Sequence, residues 1–186
     1  MTAAPRIAPL REPGEDERAR LAKTPLGVGG RPLNLFATLA HRPRLLTRVN
    51  SLGSCLMFGS SIAARERELV ILRVASRGHC AYEIHHHRSL AAVAGLDARE
   101  IAAALDPADP YPWSAADRAL LAVADELSAG ADVTDEAWAA LDGVLEDPQR
   151  IELLVLAGFY RMLAGLLNGA RVEVDDIVMG ADGTPA

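Results

Sequence analysis

The apolar residues of this chain recur mainly at helical spacing and are interrupted by proline and glycine. Strand-like alternation is weak throughout, and only residues 171–178 suggest a short strand. The sequence therefore predicts an all-α fold. The predicted helices cover, approximately, residues 33–41, 44–58, 64–77, 80–94, 98–105, 114–128, a segment after Thr134, and 148–168.

The last predicted helix, residues 148–168, is apolar on nearly all sides. Helices of this kind lie centrally in a core or between subunits, so we expect a homo-oligomer. The longest uncharged apolar run within it, residues 153–160, is too short to span a bilayer. We therefore expect no membrane association.

Composition divides the chain into three parts. Prolines and glycines are frequent in residues 1–30, which predicts an extended or partly ordered N-terminal arm. Residues 31–178 are predicted to form one helical domain, since a segment of that length can bury a substantial core. Residues 179–186 are predicted to be a flexible tail.

Charge and cysteine content exclude several classes of protein. The formal net charge of −6 argues against nucleic-acid binding, which usually requires a basic surface. The two cysteines, Cys55 and Cys80, form no CxxC pair and fit a reducing compartment better than a disulfide-built secreted fold. The first 30 residues contain no apolar run of the signal-peptide kind. We expect a cytoplasmic protein, with Cys55 in the core.

Reactive side chains concentrate between residues 79 and 87, where four of the five histidines lie. In the helix predicted there, Cys80, Glu83 and His87 occupy positions i, i+3 and i+7 and therefore share one face. A thiol, a carboxylate and an imidazole on one face make this the predicted active site.

The preceding helix supplies a fourth candidate catalytic group, Glu68, on an otherwise apolar stripe. A buried carboxylate needs a partner, so in a helical hairpin Glu68 is expected to face the start of the second helix. Four other charged residues of this helix are assigned to its solvated side: Glu66, Arg67, Arg73 and Arg77.

Two interpretations of Glu83 and His87 stay open. At one-turn spacing they can hydrogen-bond directly, and a partly dry pocket can leave a proton donor and a base poised for acid–base catalysis. Alternatively, they form an exposed pair that only stabilises the helix.

Cys80 also has two interpretations. At a helix start, the dipole can lower the pKa of its thiol, which would let it attack a hydroperoxide and become a sulfenic acid. Cys55 or an external thiol would then resolve that acid. Alternatively, Cys80 is a small buried residue with no chemical role.

Three neighbouring residues are candidates for substrate binding. They are His86 at the edge of the reactive face, Tyr82, which also suits packing, and Arg65, which could hold a substrate carboxylate. A metal held by Glu83, His86 and His87 is the less favoured alternative, because no HExxH pattern sharpens it. We therefore predict no metal and no cofactor.

Over residues 33–170 the chain resembles the carboxymuconolactone decarboxylase family, which includes the alkylhydroperoxidase D proteins. The resemblance is carried by the stretch RERELVILRVASRGHCAYEIHHH and by IELLVLAGFYRMLAGLLNGA near the end. It implies an all-helical fold built around a helical hairpin, usually assembled as trimers or hexamers. A dimer is a further possibility for this chain.

In the alkylhydroperoxidase branch, the active site consists of a glutamate twelve residues before a CxxCxxxH motif. Glu68, Cys80 and His87 match the glutamate, the first cysteine and the histidine of that pattern. Glu83 occupies the position of the second cysteine, which in that branch attacks the peroxide before the first cysteine closes a disulfide with it. A disulfide-cycling mechanism is therefore not carried over to this chain.

Three functions are compatible with these residues. The first is a lyase of this family that decarboxylates or isomerises a small organic acid or lactone by proton transfer. Glu83 and His87 would move the proton, Glu68 would tune His87, and Cys80 would line the site. The second is a thiol-dependent alkyl hydroperoxide reductase, with peroxiredoxin-like activity at Cys80, and the third is a non-catalytic oligomeric ligand-binding protein.

Overall fold

The computed structural model describes residues 4–176. These residues form nine α-helices and one 3-10 turn, with no strand among them, so the all-α prediction is confirmed over this range. The last two residues of the suggested strand and the predicted tail, 179–186, lie outside the described residues. The chain divides into two compact units, which we describe separately.

The first unit comprises the described residues of Met1–Phe58 and Leu166–Ala186. Its helices α1 and α2 pack against α3, and the backbone N–H of Asn34 donates to the Asp175 carboxylate at 2.9 Å. The bounds are α1 (Glu15–Leu21), a 3-10 turn (Val28–Gly30), α2 (Asn34–Leu39) and α3 (Pro43–Phe58).

Helix α1 lies within the N-terminal arm, where no helix is predicted from composition. Its first turn is acidic and its last turn contains Arg18 and Arg20. This order of charges stabilises a helix through its macrodipole. Arg20 also pairs with Asp16 one turn earlier, at 2.9 Å. The charges of the arm, rather than its apolar content, are the signal for this helix.

Cys55 on α3 is exposed, so the expectation that it belongs to the core is wrong. The buried positions of α3 are Leu46 and Leu56. Adjacent residues point about 100° apart on a helix, and Cys55 therefore turns away from the side that Leu56 buries.

The second unit, Gly59–Gly165, is built around α4, which packs against α5, α6 and α7. Its helices are α4 (Ala64–Arg77), α5 (Ala81–Val93), α6 (Ala98–Leu105), α7 (Ala115–Ala129) and α8 (Asp135–Ala139). Helix α9 (Asp147–Ala170) contributes residues to this unit up to Gly165, and the rest of it belongs to the first unit.

Apolar residues of the second unit form a buried cluster where α4 meets its neighbours. Removing such surface from water contributes about 25 cal/mol per Å², so this cluster stabilises the packing of α4 against its neighbours. Its members are Leu69, Leu72, Ala91, Leu96, Ala103, Ala104, Trp113 and Leu121.

A short connection joins α4 to α5 and confirms the predicted helical hairpin. His79 adopts a left-handed conformation with φ 48°, and Cys80 then caps α5. A Cβ at Gly78 would lie 3.0 Å from the Ala164 Cβ, so glycine suits the close approach there. The turn places Cys80 at the start of α5, directly after the end of α4.

Arg73 is buried, with 4% exposure, so its assignment to the solvated side of α4 is wrong. One guanidinium nitrogen, Nη2, donates to the carbonyl of Ala103 at 3.4 Å, and Nε lies 3.9 Å from the Asp125 carboxylate. Because three helices surround α4, even its polar side is largely enclosed.

Within residues 4–176, α9 is the one helix long and apolar enough to cross a membrane by length and composition. Half of its most apolar window is buried within the structure. The uncharged run 153–160 therefore underestimates the apolar length of α9, because the helix stays apolar beyond the charged residues that flank this run.

Arg65 of α4 links α6 and α7. Its guanidinium donates to Asp117 at 2.8 Å and to Glu100 at 2.5 Å. The Arg65 side chain is 28% exposed, whereas those of Glu100 and Asp117 are 14% and 9% exposed. Two largely buried carboxylates therefore depend on one cation.

Replacing Arg65 with methionine should lower the free energy of unfolding by about 2–3 kcal/mol, because both carboxylates lose their counter-ion in a partly dry environment. Arg77→Met is the matched control, since Arg77 is also on α4 and pairs with Asp125 but is 42% exposed. It should cost about 0–1 kcal/mol. Urea unfolding followed by circular dichroism measures both values, and equal costs would contradict the interpretation.

Candidate active site

Glu68 and His87 form a buried pair across the α4–α5 hairpin. Oε2 of Glu68 lies 2.7 Å from Nδ1 of His87, and the two residues are 1% and 8% exposed. The prediction that Glu68 faces the second helix is therefore confirmed. With Glu68 as a carboxylate, the Nδ1–H of His87 donates the bond, which leaves Nε2 as the ring nitrogen able to accept a proton.

Glu83 is buried to 2% exposure but is not bonded to His87, contrary to the direct hydrogen bond considered from its spacing. The thiol of Cys80 is its polar neighbour, and otherwise neither carboxylate oxygen has a hydrogen-bond partner among the described residues. Burial raises the pKa of Glu83 to about 8. Near neutral pH this residue is therefore mainly a neutral carboxylic acid.

Cys80 is fully buried and lies beside Glu83. Burial, reinforced by the nearby Glu83, raises the pKa of its thiol to about 12. The expectation that the helix dipole lowers this pKa is wrong, because loss of solvation outweighs the partial charge at the helix start. Cys80 is a neutral thiol near neutral pH.

Tyr160 of α9 lies against His87 and is not among the site residues predicted from the sequence. Its ring lies edge-on to the His87 ring, with centroids 5.0 Å apart. Burial and the nearby Glu68 and Glu83 raise the pKa of the phenol well above its usual value, while Arg67 opposes that rise. The Tyr160 phenol therefore lies against His87 and near Glu68, Glu83 and Arg67, and it remains neutral.

Arg67 is the second residue that sequence reasoning missed, because its spacing on α4 suggested a solvated position. Its side chain is 12% exposed, and its Nε lies 3.5 Å from Oε1 of Glu68. Neither of those two atoms has a hydrogen-bond partner among the described residues. The signal that could have found it is its place directly before Glu68 in the chain.

The three predicted substrate-binding residues have different environments. Tyr82 is buried and stacks on His86, with ring centroids 4.3 Å apart. Both residues lie on α5. Arg65 is held by Glu100 and Asp117 and is not available to Glu68 or to a substrate carboxylate.

Within residues 4–176, no group of three or more His, Cys, Asp or Glu side chains is placed to hold a metal ion. Glu68 and His87 bond to each other. The arrangement offers instead a base at His87, a neutral acid at Glu83 and a thiol. Two titratable groups driven to different protonation states are what acid–base catalysis requires.

Residues 43–126, from α3 into α7, match the Carboxymuconolactone decarboxylase family. A comparison with curated proteins found no match. The matched residues include Glu68, Cys80, Glu83 and His87, but not Tyr160. The family match therefore covers the hairpin that carries the site.

Several solved structures share the fold. The alkylhydroperoxidase AhpD core of an uncharacterized peroxidase-related protein from Ralstonia eutropha JMP134 is 20% identical, with a TM-score of 0.77 over 94% of this chain and 95% of that one. The debrominase Bmp8 is 18% identical, with a TM-score of 0.73 over 95% and 93%. An uncharacterized peroxidase-related protein from Silicibacter sp. TM1040 is 19% identical, with a TM-score of 0.71 over 79% and 78%. The match over residues 43–126 and the shared helical fold support a carboxymuconolactone decarboxylase, AhpD-like family for this chain.

Proposed function

We propose that this protein is an enzyme that decarboxylates or isomerises a small organic acid or lactone by proton transfer. The observation that carries the proposal is the contrast between the surroundings of two buried carboxyl groups. Glu68 has a basic partner 2.7 Å away, whereas Glu83 has none and is neutral near pH 7. Such a difference assigns one group to orient a base and the other to act as an acid.

Glu83 and His87 have complementary roles in this mechanism. In a decarboxylation, a substrate carboxylate leaves as carbon dioxide, its bonding electrons pass into an enolate, and Glu83 transfers its proton to the carbon. Solvent then reprotonates Glu83. In an isomerisation, Nε2 of His87 removes a proton from one carbon and Glu83 delivers one to another. Glu68 holds the imidazole in the tautomer that leaves Nε2 unprotonated.

The thiol-dependent peroxidase is less well supported. Attack on a peroxide requires a thiolate, and burial raises the pKa of the Cys80 thiol to about 12. Cys80 therefore suits the site as a neutral lining group. A non-catalytic binding protein is also less well supported, because ligand binding alone does not require an acid and a base in the same site.

Fold neighbours give the proposal only general support. One is described as a debrominase, and a variant of it in which alanine replaces a cysteine was solved in complex with 2,3,4-tribromopyrrole, so an AhpD-like fold can hold a small molecule. We further propose that the enzyme is cytoplasmic and homo-oligomeric, and that it binds a small-molecule substrate without nucleic acid, metal or cofactor. The half-exposed apolar residues Val155 and Met162 on α9 are consistent with association between copies.

Glu83→Gln and His87→Asn should each lower kcat by about a hundredfold or more, because each removes a proton-transfer group. Turnover is measured as carbon dioxide release or product formation from a panel of β-oxo acids and carboxylated lactones. Glu136→Gln, which changes an exposed acid on α8, should leave kcat unchanged. Full activity in both site variants would refute the mechanism.

The rate should decline as the pH rises above about 8, because Glu83 must be protonated to act as an acid and its pKa is about 8. A carboxyl group whose pKa is raised holds its proton below that value and loses it above. A kcat profile from about pH 6 to about pH 10 measures this effect. A rate that instead increases steadily over that range would indicate a thiolate or another base.

Cys80→Ser should retain kcat within about threefold, since a neutral thiol that only lines the site can be replaced by a hydroxyl. Exposure of the Cys55→Ser protein to hydrogen peroxide and dimedone at neutral pH should give no adduct on Cys80, because its thiol stays protonated. Mass spectrometry measures the adduct. Rapid labelling of Cys80 would favour the peroxidase instead.

A further inference from the structure

Four buried polar atoms beside the Glu68–His87 pair lack hydrogen-bond partners among the described residues. They are Nε of Arg67, Oε1 of Glu68 and both carboxyl oxygens of Glu83. The polar neighbour of Glu83 is the Cys80 thiol. Leaving such atoms unpaired costs about 1–3 kcal/mol each. Several such atoms in one place indicate that the site binds a polar ligand, which would supply the missing hydrogen bonds.

Arg67 is the one cation in that cluster, and its protein partners do not use its hydrogen-bonding capacity. The nearest acid, Glu68, is 3.5 Å from Nε, which is beyond good hydrogen-bond geometry, and its other oxygen is bound to His87. Glu152 of α9 also feels the charge of Arg67, but its carboxylate accepts bonds from the backbone and side chain of Ser61. The Nε–H group of Arg67 therefore has no acceptor among the described residues.

The chemistry of a guanidinium indicates what it would hold. Its planar fork of N–H groups matches the two oxygens of a carboxylate, and a partly dry environment strengthens that pairing. We propose that Arg67 is the anion-anchoring residue of this site and that it binds a carboxylate of the substrate. This inference rests on the proposed function, because it concerns the substrate of the same site.

The anchored carboxylate is a group that does not react. An ion pair with a carboxylate that is about to leave as carbon dioxide would stabilise the substrate more than the transition state, and would therefore slow the reaction. A carboxylate that is retained keeps the same pairing throughout and orients the reacting carbon towards Glu83 and His87. The substrate therefore carries an acid group in addition to its reacting one, and Arg67 selects for it.

Binding of glutarate and of its neutral diamide, glutaramide, tests this assignment without requiring turnover. The probes have similar shape and differ in charge. In nuclear magnetic resonance titrations of the full chain, glutarate should shift the His87 ring signals saturably, and glutaramide should bind at least about tenfold more weakly. Arg67→Gln should weaken glutarate binding about tenfold or more and leave glutaramide binding unchanged.

Arg88→Gln is the control, because Arg88 is an exposed residue of α5 and its loss changes the net charge equally. It should alter glutarate binding by less than about twofold. If Arg67→Gln does not fold, as judged by circular dichroism, Arg67→Lys replaces it. That variant should bind glutarate about threefold more weakly, since an ammonium cannot make the bidentate contact.

Glutarate binding that is unchanged in the Arg67 variants, or equally weakened in Arg88→Gln, would overturn the assignment. Failure of the proposed function gives a different result. In that case Glu83→Gln keeps full turnover while the effect of Arg67 on glutarate binding stands. Conversely, Glu83→Gln that loses turnover, with glutarate binding indifferent to Arg67, refutes the anchor alone.

Discussion

The bond between Glu68 and His87 is the interaction on which the site depends. A carboxylate on the apolar face of α4 would be costly to bury alone, and His87 supplies the partner that makes its position tolerable. The bond crosses the hairpin, so it is preserved only while α4 and α5 keep their register. Leu69 and Leu72 of the apolar cluster maintain that register from the same helix.

Glu83 shows the opposite solution to the same physical problem. It has only a thiol as a polar neighbour, so burial is met by protonation rather than by pairing. Its presence raises the pKa of Cys80 as well, because a second negative charge nearby would be unfavourable. Of two glutamates on facing helices, Glu68 is thus bonded to an imidazole and Glu83 is not, and that difference gives the site its capacity for proton transfer.

The fold itself does not decide between proton transfer, peroxide reduction and ligand binding. Structures with the same architecture include a debrominase and uncharacterized peroxidase-related proteins, all below 25% identity to this chain. Function must therefore be argued from individual side chains. In this chain the decisive position is Glu83, where a carboxyl group stands in place of the second cysteine of the alkylhydroperoxidase pattern.

The sequence by itself determined the helices from α2 to α9 and the grouping of reactive residues, because both depend on spacing along one chain. The helical periodicity of α4 and α5 and the shared face of Cys80 and Glu83 are local properties.

Only the tertiary structure decided which side chains contact each other and which are shielded from water. The partner of His87 is on another helix, Arg67 and Arg73 are enclosed by neighbours that their own helix cannot reveal, and Cys55 lies outside the core. Burial also reversed the expected direction of the Cys80 pKa. Solvation and pairing depend on all elements that surround a residue, and periodicity within one element contains no information about them.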